Sequence, residues 1–354
     1  MRTQIRRALL LLVLCATLAL GSPLSAQEGA AGDIIGPDTY PEGVNPLTGQ
    51  PVSNPAVLNR RPVGVKVSNF PGDKVRPQAG LAQADIVFEH YAEGGTTRFT
   101  AFFLSTTPQK VGSMRSARLI DLELTAMYRA LFIFSGASEG VRQRLYDPNR
   151  PTRARTFYAD TMGDPFVFRD ADIDPPHNFF ANPRELWFLA DERGVNLEDP
   201  GLRGTAFSAT IPGGGAPARI VDIAYRAENV RWFYEGGFAR YARYADGEPH
   251  MDAVTEQQIT AQNVVVLYVD HVEDRTILED EVSGGHYSTE IQLWGEGPCD
   301  LFRDGQRFEC RWSRADDFSM LTFKTPGGDL LPLKPGITWY QIVPYGFTGL
   351  TVTP

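Results

Sequence analysis

Apolar and polar positions alternate with a period of two through much of the chain, and each such run reads as a strand. "RPVGVKVSNF", residues 61–70, is the first. "ADIVFEHYAEGGTTRFTAFFLS", residues 84–105, holds two more on either side of Gly94-Gly95. Glycine takes the positive φ values of a tight two-residue turn at little cost, so the pair predicts a hairpin loop. In that register Glu93 faces Thr96, Tyr91 faces Arg98 and His90 faces Phe99. Ile86, Phe88, His90, Phe99, Ala101 and Phe103 then form an apolar face, which makes His90 a core histidine. Asp85, Glu89, Tyr91, Glu93 and Arg98 form the polar face, with Arg98 diagonal to Glu89 and Glu93.

Helical spacing appears in two places. "SARLIDLELTAMYRALF", residues 116–132, carries Leu and Met over four turns and runs into "LFIFSGAS", a buried strand ending in a small-residue loop. "NPRELWFLADERGV", residues 182–195, predicts a shorter helix with Asn182 as N-cap and Pro183 at its first position. Past the Gly- and Pro-rich "IPGGGAPARI", residues 211–220, strands dominate: "NVRWFYEGGFARYARY", "QNVVVLYVDHV", "HYSTEIQLWGEG", "RFECRWSRA", "SMLTFKT" and "ITWYQIVP". The fold class is therefore α+β: a mixed α/β N-terminal domain over 61–213, followed by a β-rich C-terminal domain over 218–354. Residues 27–60, rich in Gly, Pro and Asn without apolar periodicity, read as a flexible linker.

The first 26 residues are for targeting. Arg2, Arg6 and Arg7 precede an apolar run from Ala8 to Leu20, and the small-residue pattern ending at Ala26 predicts cleavage before Gln27. That run is shorter than the ~20 residues that span a bilayer. Cys15 follows the bulky Leu14 and lies within the apolar run, so lipid attachment there is not expected. The mature chain is expected outside the cytoplasm, secreted or at the cell envelope, with no transmembrane segment. With 34 basic against 43 acidic residues, a net charge of −9 and no basic run, nucleic acid and anionic lipid are excluded as partners. Any anion site must be local. The remaining cysteines, Cys299 and Cys310 in "GPCDLFRDGQRFEC", flank an Asp304-Gly305 turn, and oxidising export predicts a disulfide across that hairpin.

Candidate chemistry gathers before residue 185. "KVGSMRSARLIDLEL", residues 110–124, reads as a loop entering a helix, with Ser113 or Ser116 as N-cap. The i, i+3 spacing places Arg115 and Arg118 on one face of the first turn. Cations oppose the macrodipole at that end, and a phosphate or carboxylate held between them would reconcile the two; pairing of Arg118 with Asp121 is the alternative. In "DIDPPHNFFANP", residues 172–183, His177 is a general-base candidate with Asn178 beside it. Ser138 offers a donor where a buried strand ends. Glu93 and His177 are the candidate catalytic groups. His250, His271 and His286 have no metal-ligand spacing, and phosphate-loop, dinucleotide and calcium-loop motifs are missing, so neither metal nor cofactor is expected.

These residues resemble the YerB-like lipoprotein family, secreted or lipid-anchored bacterial envelope proteins whose biochemistry is unassigned. The resemblance runs in order through "NPLTGQP", "RPVGVKVSN", "RPQAGLAQADIVFEHYAEGGTTRF", "VGSMRSAR", "FSGAS", "PPHNFFAN", "NVVVLYVD" and "LPLKPGITWYQIVP", over most of residues 45 to 345. It implies an N-terminal and a separate C-terminal domain, and places recurring polar positions at Asn69, Glu89, Glu93, Arg98, Arg115, Ser116, Arg118, His177 and Asn178. Ser68 stands where members usually carry Asp, and the lipobox of many members is not matched around Cys15. The reading that results is an extracytoplasmic protein holding an anionic or glycan ligand in a cleft lined by Arg98, Arg115, Arg118, Glu89, Glu93 and His177. An enzyme acting on cell-envelope polymers and an envelope assembly scaffold are the alternatives.

Overall fold

The computed structural model describes residues 34–354 apart from 151, 153–154, 197–198 and 281–284. The expected signal peptide and Cys15 lie outside the described residues. In the first half of the chain the main elements are β1 (Val63–Ser68), β2 (Ile86–Tyr91), β3 (Thr97–Phe103), α1 (Ile120–Met127), β4 (Leu131–Phe134), α2 (Glu139–Leu145), β5 (Thr156–Tyr158) and α3 (Pro183–Glu192). The second half supplies β6 (Ile220–Ala224), β7 (Asn229–Glu235), β8 (Arg240–Ala245), β9 (Asn263–Val269), β10 (His271–Asp280), β11 (His286–Ile291), β12 (Gly295–Arg303), β13 (Gln306–Arg314), β14 (Thr322–Lys324), β15 (Thr338–Pro344) and β16 (Leu350–Thr353). The class is α+β, with a β-rich C-terminal part. Among the described residues no helix is long and apolar enough to cross a membrane.

One sheet spans both halves, in the order β14-β13-β12-β9-β15-β2-β3-β1-β4-β5. β15 is the junction: it pairs in parallel with β9 on one side and with β2 on the other. β1, β2, β4, β5, β9 and β15 all point the same way, with β3 inserted antiparallel between β1 and β2. Both faces of the sheet are covered, so β1 is buried along its whole length despite carrying Lys66. A smaller sheet built on β8-β7-β6-β16 packs on one face through Trp232, Tyr241, Val221 and Ile223 against Val65, Val67, Phe99 and Trp339. On the other face α1 packs Ile120, Leu124, Met127 and Tyr128 against Phe88, Phe102 and Tyr340. β10 and β11 form a separate hairpin whose Ile277 packs beside Val141 and Leu145 of α2.

Residues 34–60, expected as a linker, pack on this body. Leu47 is buried, Asn45 Nδ2 donates to Asp85 Oδ1 at 2.8 Å, and Ile35 bridges to Phe207. α3 begins with Asn182 in the N-cap position and Pro183 first in the helix, as the sequence predicts. Cys299 and Cys310 face each other across β12–β13 and are bonded, with Asp304 and Gly305 at the turn. That link closes a short loop already held by strand pairing. Cys299→Ser with Cys310→Ser is therefore expected to cost at most about 3 kcal/mol and leave the fold intact, read as a lowered unfolding midpoint with unchanged circular dichroism.

Two expectations are corrected. The β2–β3 loop closes with Ala92 N–H donating to Thr96 O at 2.8 Å, which places three residues, Glu93 to Gly95, in the turn. Tyr91 then faces Thr97, His90 faces Arg98 and Glu89 faces Phe99. A slip of one residue moves a strand's side chains to the opposite face. Arg98 therefore shares a face with His90, and Glu89 lies on the other. The second correction concerns the first long helix. α1 starts only at Ile120, so Arg115 and Arg118 lie in the extended approach to it rather than on its first turn, and the helix ends at Met127. Two approach residues are fastened to neighbouring backbone instead: Arg115 N–H donates to Lys66 O and Ala117 N–H to Gly136 O.

Candidate functional site

The carboxyl ends of β1, β2, β4 and β5 share one edge of the sheet, and the chain's polar loops collect there. This is the edge at which parallel strands commonly present ligand-binding loops. The 92–96 turn, the 113–119 approach to α1 and the Ser135–Ser138 loop meet at this edge. Gly136 is needed for the approach: a Cβ there would come within 2.9 Å of Ser116 Oγ, and its φ of +76° suits glycine.

Beneath the edge, on the α1 side, lies a buried charge relay. Lys66 Nζ donates to Asp121 Oδ1 at 2.8 Å and to Thr100 Oγ1 at 3.0 Å, and meets His90 Nε2 at 2.6 Å. His90 Nδ1 lies 2.9 Å from Tyr91 O and must donate to it, which leaves Nε2 as the acceptor for the ammonium. Burial and then Lys66 hold His90 well below its ordinary pKa, so it stays neutral. Burial lowers Lys66 to about 8 against the pull of Asp121. Asp121 Oδ2 accepts the backbone N–H of Arg118 at 2.7 Å. Asp121 thus positions the arginine loop through its main chain.

The arginines form the layer above. Arg118 Nε donates to Glu93 Oε2 at 2.6 Å, and its Nη1 lies 3.7 Å from Glu279 Oε2 on β10. Ser138 Oγ donates to Glu279 Oε1 at 2.8 Å, and Ser288 Oγ of β11 donates to the same oxygen. Arg98 is half-buried, and its Nη1 donates to Ser116 O at 2.8 Å. Among the described residues it has no carboxylate partner. Burial, then Arg118, with Arg115 adding a smaller push, lowers it to about 9. Arg115 donates to Pro176 O at 2.7 Å and to His177 Nδ1 at 2.6 Å, and it too lacks a carboxylate partner among the described residues. Burial and Arg115 keep the His177 pKa below its ordinary value.

The predicted site residues therefore separate. Glu93, Arg98, Ser116, Arg118 and Ser138 come together at the sheet edge, with the Arg115–His177 pair within electrostatic reach through Arg98. Asn178 is buried in its own loop, where Oδ1 accepts from Arg169 at 2.9 Å. Asn69 and Glu89 lie on the opposite face, against the small sheet. There Asn69 Nδ2 donates to Thr97 Oγ1 at 2.7 Å and to Glu228, and Arg243 Nη2 donates to Glu89 Oε2 at 2.9 Å and to Glu228 Oε1 at 3.2 Å. This network stitches the two halves together. Lys66, Asp121 and Glu279 complete the edge site. Asp121 is in view in the sequence as a partner of Arg118, three residues on, and it does meet Arg118, through the backbone N–H. Lys66 leaves a trace as the single charge inside the apolar run "VGVKV", and Glu279 leaves none. Among the described residues no group of three or more His, Cys, Asp or Glu is placed to hold a metal ion.

A shared sheet with an arginine-rich carboxyl edge and a carboxylate-rich seam defines a single two-part body, and its two parts match a known pair. Residues 47–196 match the family model "Protein of unknown function (DUF3048) N-terminal domain", and residues 221–340 match "Protein of unknown function (DUF3048) C-terminal domain"; the chain belongs to this family. It is 30% identical over 313 residues to "Putative lipoprotein YerB" of Bacillus subtilis (strain 168), covering 87% of this chain and 88% of that one. The crystal structure of YerB protein from Bacillus subtilis superimposes with a TM-score of 0.73 at 27% identity, over 88% of this chain and 99% of the other.

Proposed function

We propose that the chain is an extracytoplasmic protein of the cell envelope that binds an anionic ligand, a carboxylate or phosphate borne on an envelope polymer, at the carboxyl edge of its central sheet. The lipoprotein relative and the leader-like first 26 residues support the location. The observation that carries the ligand class is Arg98: its guanidinium, on a half-buried residue, is crowded by Arg118 and Arg115, and Glu93 and Glu279 offset them from a distance without a direct ion pair to it among the described residues. Cations held together without enough counter-charge raise the energy of the unliganded protein, and a bound anion relieves that repulsion. The guanidinium forks of Arg98 and Arg115 suit a planar carboxylate or a phosphate. Glu93 and His177, the candidate acid–base groups, are each held by an arginine of the site, which suits anchoring better than proton transfer.

The test is Arg98→Ala. A charge-assisted hydrogen bond is worth roughly 1.5–3 kcal/mol, so affinity for acidic polymers and for inorganic phosphate should fall about ten- to hundredfold. The unfolding midpoint should stay level or rise, because a like charge leaves the cluster. Unchanged affinity in titration calorimetry would remove the basis of the reading.

A further inference from the structure

Glu93 faces two ways. Its Oε2 holds Arg118, while its Oε1 is buried without a hydrogen-bond partner among the described residues, on a side chain only 6% exposed. Glu93 also lines a cavity of about 350 Å³, at the lower end of the range for small-molecule sites. His271 lines it as well. Its Nδ1 donates to Val269 O at 2.9 Å, which fixes the tautomer and leaves Nε2 as a lone-pair acceptor; Nε2 is also buried without a partner among the described residues. Tyr91 stands edge-on to His271, with ring centres 6.0 Å apart, and the Gly94-Gly95 turn, Tyr287, His286, Thr289 and Glu273, which Arg275 holds at 2.8 Å, are among the other walls. Nothing lies within 4 Å of the position a Gly94 side chain would take, so the turn is open towards a ligand.

Two unsatisfied acceptors beside aromatic rings ask for a ligand that brings several donors and an apolar face. A buried acceptor left unpaired costs about 1–3 kcal/mol, and a ligand donor recovers it. Hydroxyl groups and an ammonium both donate. The ammonium is disfavoured, because both carboxylates of the cavity are already paired, Glu93 with Arg118 at 2.6 Å and Glu273 with Arg275 at 2.8 Å, and Arg98 adds a further nearby cation. Neutral hydroxyls meet no such repulsion. A larger hollow, about 730 Å³, lies on the outer face of the small sheet, but its charges are paired: Arg231 with Asp222 at 2.6 Å and Asp246 with Arg76 at 2.7 Å.

We propose that the cavity between Glu93 and His271 is a saccharide subsite, in which sugar hydroxyls donate to Glu93 Oε1 and His271 Nε2 and a ring face lies on Tyr91 or Tyr287. Because Glu93 borders both the cavity and the arginines, the acidic group of the same sugar reaches the arginine cluster; this half of the proposal rests on the anion-binding reading above. The ligand class becomes an acidic saccharide.

Titration calorimetry on the purified protein with inorganic phosphate, glucose, glucuronate and glucose 1-phosphate tests it. The acidic sugars are expected to bind at least tenfold more tightly than phosphate. His271→Phe, which keeps the ring and removes the acceptor, should abolish that gain and leave phosphate affinity unchanged. Tyr287→Ala on the half-exposed wall gives the same loss should His271→Phe destabilise the fold. Acidic sugars binding no better than phosphate, with phosphate binding still lost in Arg98→Ala, would overturn the subsite and keep the anion site. Sugar binding that depends on His271 without any phosphate binding would keep the subsite and overturn the anion site. No binding of any probe overturns both.

Discussion

Arg243→Met is expected to cost about 3–5 kcal/mol of stability, a large share of the 5–15 kcal/mol that typically separates folded from unfolded protein. Arg243 is fully buried, ringed by Phe99, Trp339 and Trp232 at 5.2–5.9 Å, and is shared by Glu89 and Glu228. Methionine fills much of the volume but leaves the Glu89 carboxylate buried without its cation. Arg76, 2.7 Å from Glu228 Oε1 and also paired with Asp246, has no ion pair with Glu89 among the described residues. Urea unfolding measures the loss, and a change below about 1 kcal/mol would show that the seam is not held by charge.

The same variant should be pH-sensitive in a definite direction. Burial and the Glu228 carboxylate push Glu89 up to about 7 even with Arg243 present. A carboxyl group whose folded pKa exceeds its unfolded value stabilises the fold below the unfolded value, and that contribution is lost as pH rises through the folded one. Without Arg243 the folded pKa moves higher still. Both proteins lose this contribution in parallel up to about pH 6, so the deficit of the variant should open as pH rises through about 7, where Glu89 ionises in the wild type and stays protonated in the variant.

Strand identity was legible in the sequence because a half-buried strand writes its period of two into side-chain polarity. So were the Cys299–Cys310 hairpin, whose Asp304-Gly305 turn is unambiguous, and the start of α3 at Asn182-Pro183. Register was less legible at the one place where it decides chemistry. Gly94 and Gly95 satisfy a two-residue and a three-residue turn equally well, since both need positive φ, and the observed values are 70° and 78°. The extra turn residue carries Arg98 from the Glu89 face to the Lys66–His90 face. Nothing local could show that Asn69 meets Glu228, 159 residues away, or that Glu279 arrives from the β10–β11 hairpin to share Arg118. Lys66 could have been found by asking why an unbroken apolar strand tolerates a charge: a buried cation needs a partner, and Asp121 supplies it.

Severing the chain is expected to show that its two family-matched regions are not independent folding units. Fragments 34–213 and 214–354, produced separately, should each fail to give a cooperative unfolding transition. β15 lies between β2 and β9, so the first fragment bares the β2 edge, with Val87 and Phe88 fully buried in the intact chain, and uncovers Phe99 where Trp339 and Trp232 lay. The second keeps β15 with one neighbour and strands Glu228 and Arg243 without Glu89 and Asn69. An unpaired edge of that length and apolarity favours aggregation over folding. Produced together, the fragments should assemble, because the break falls at Gly213-Gly214, exposed residues with nothing within 4 Å of either Cβ position. A proteolytic nick there in the intact chain should accordingly leave the unfolding midpoint within a few degrees of its original value. A dispersed amide spectrum and a sharp melt from either fragment alone would refute the shared-sheet argument, and the seam around Arg243 would then be a docking surface between two finished domains rather than part of one core.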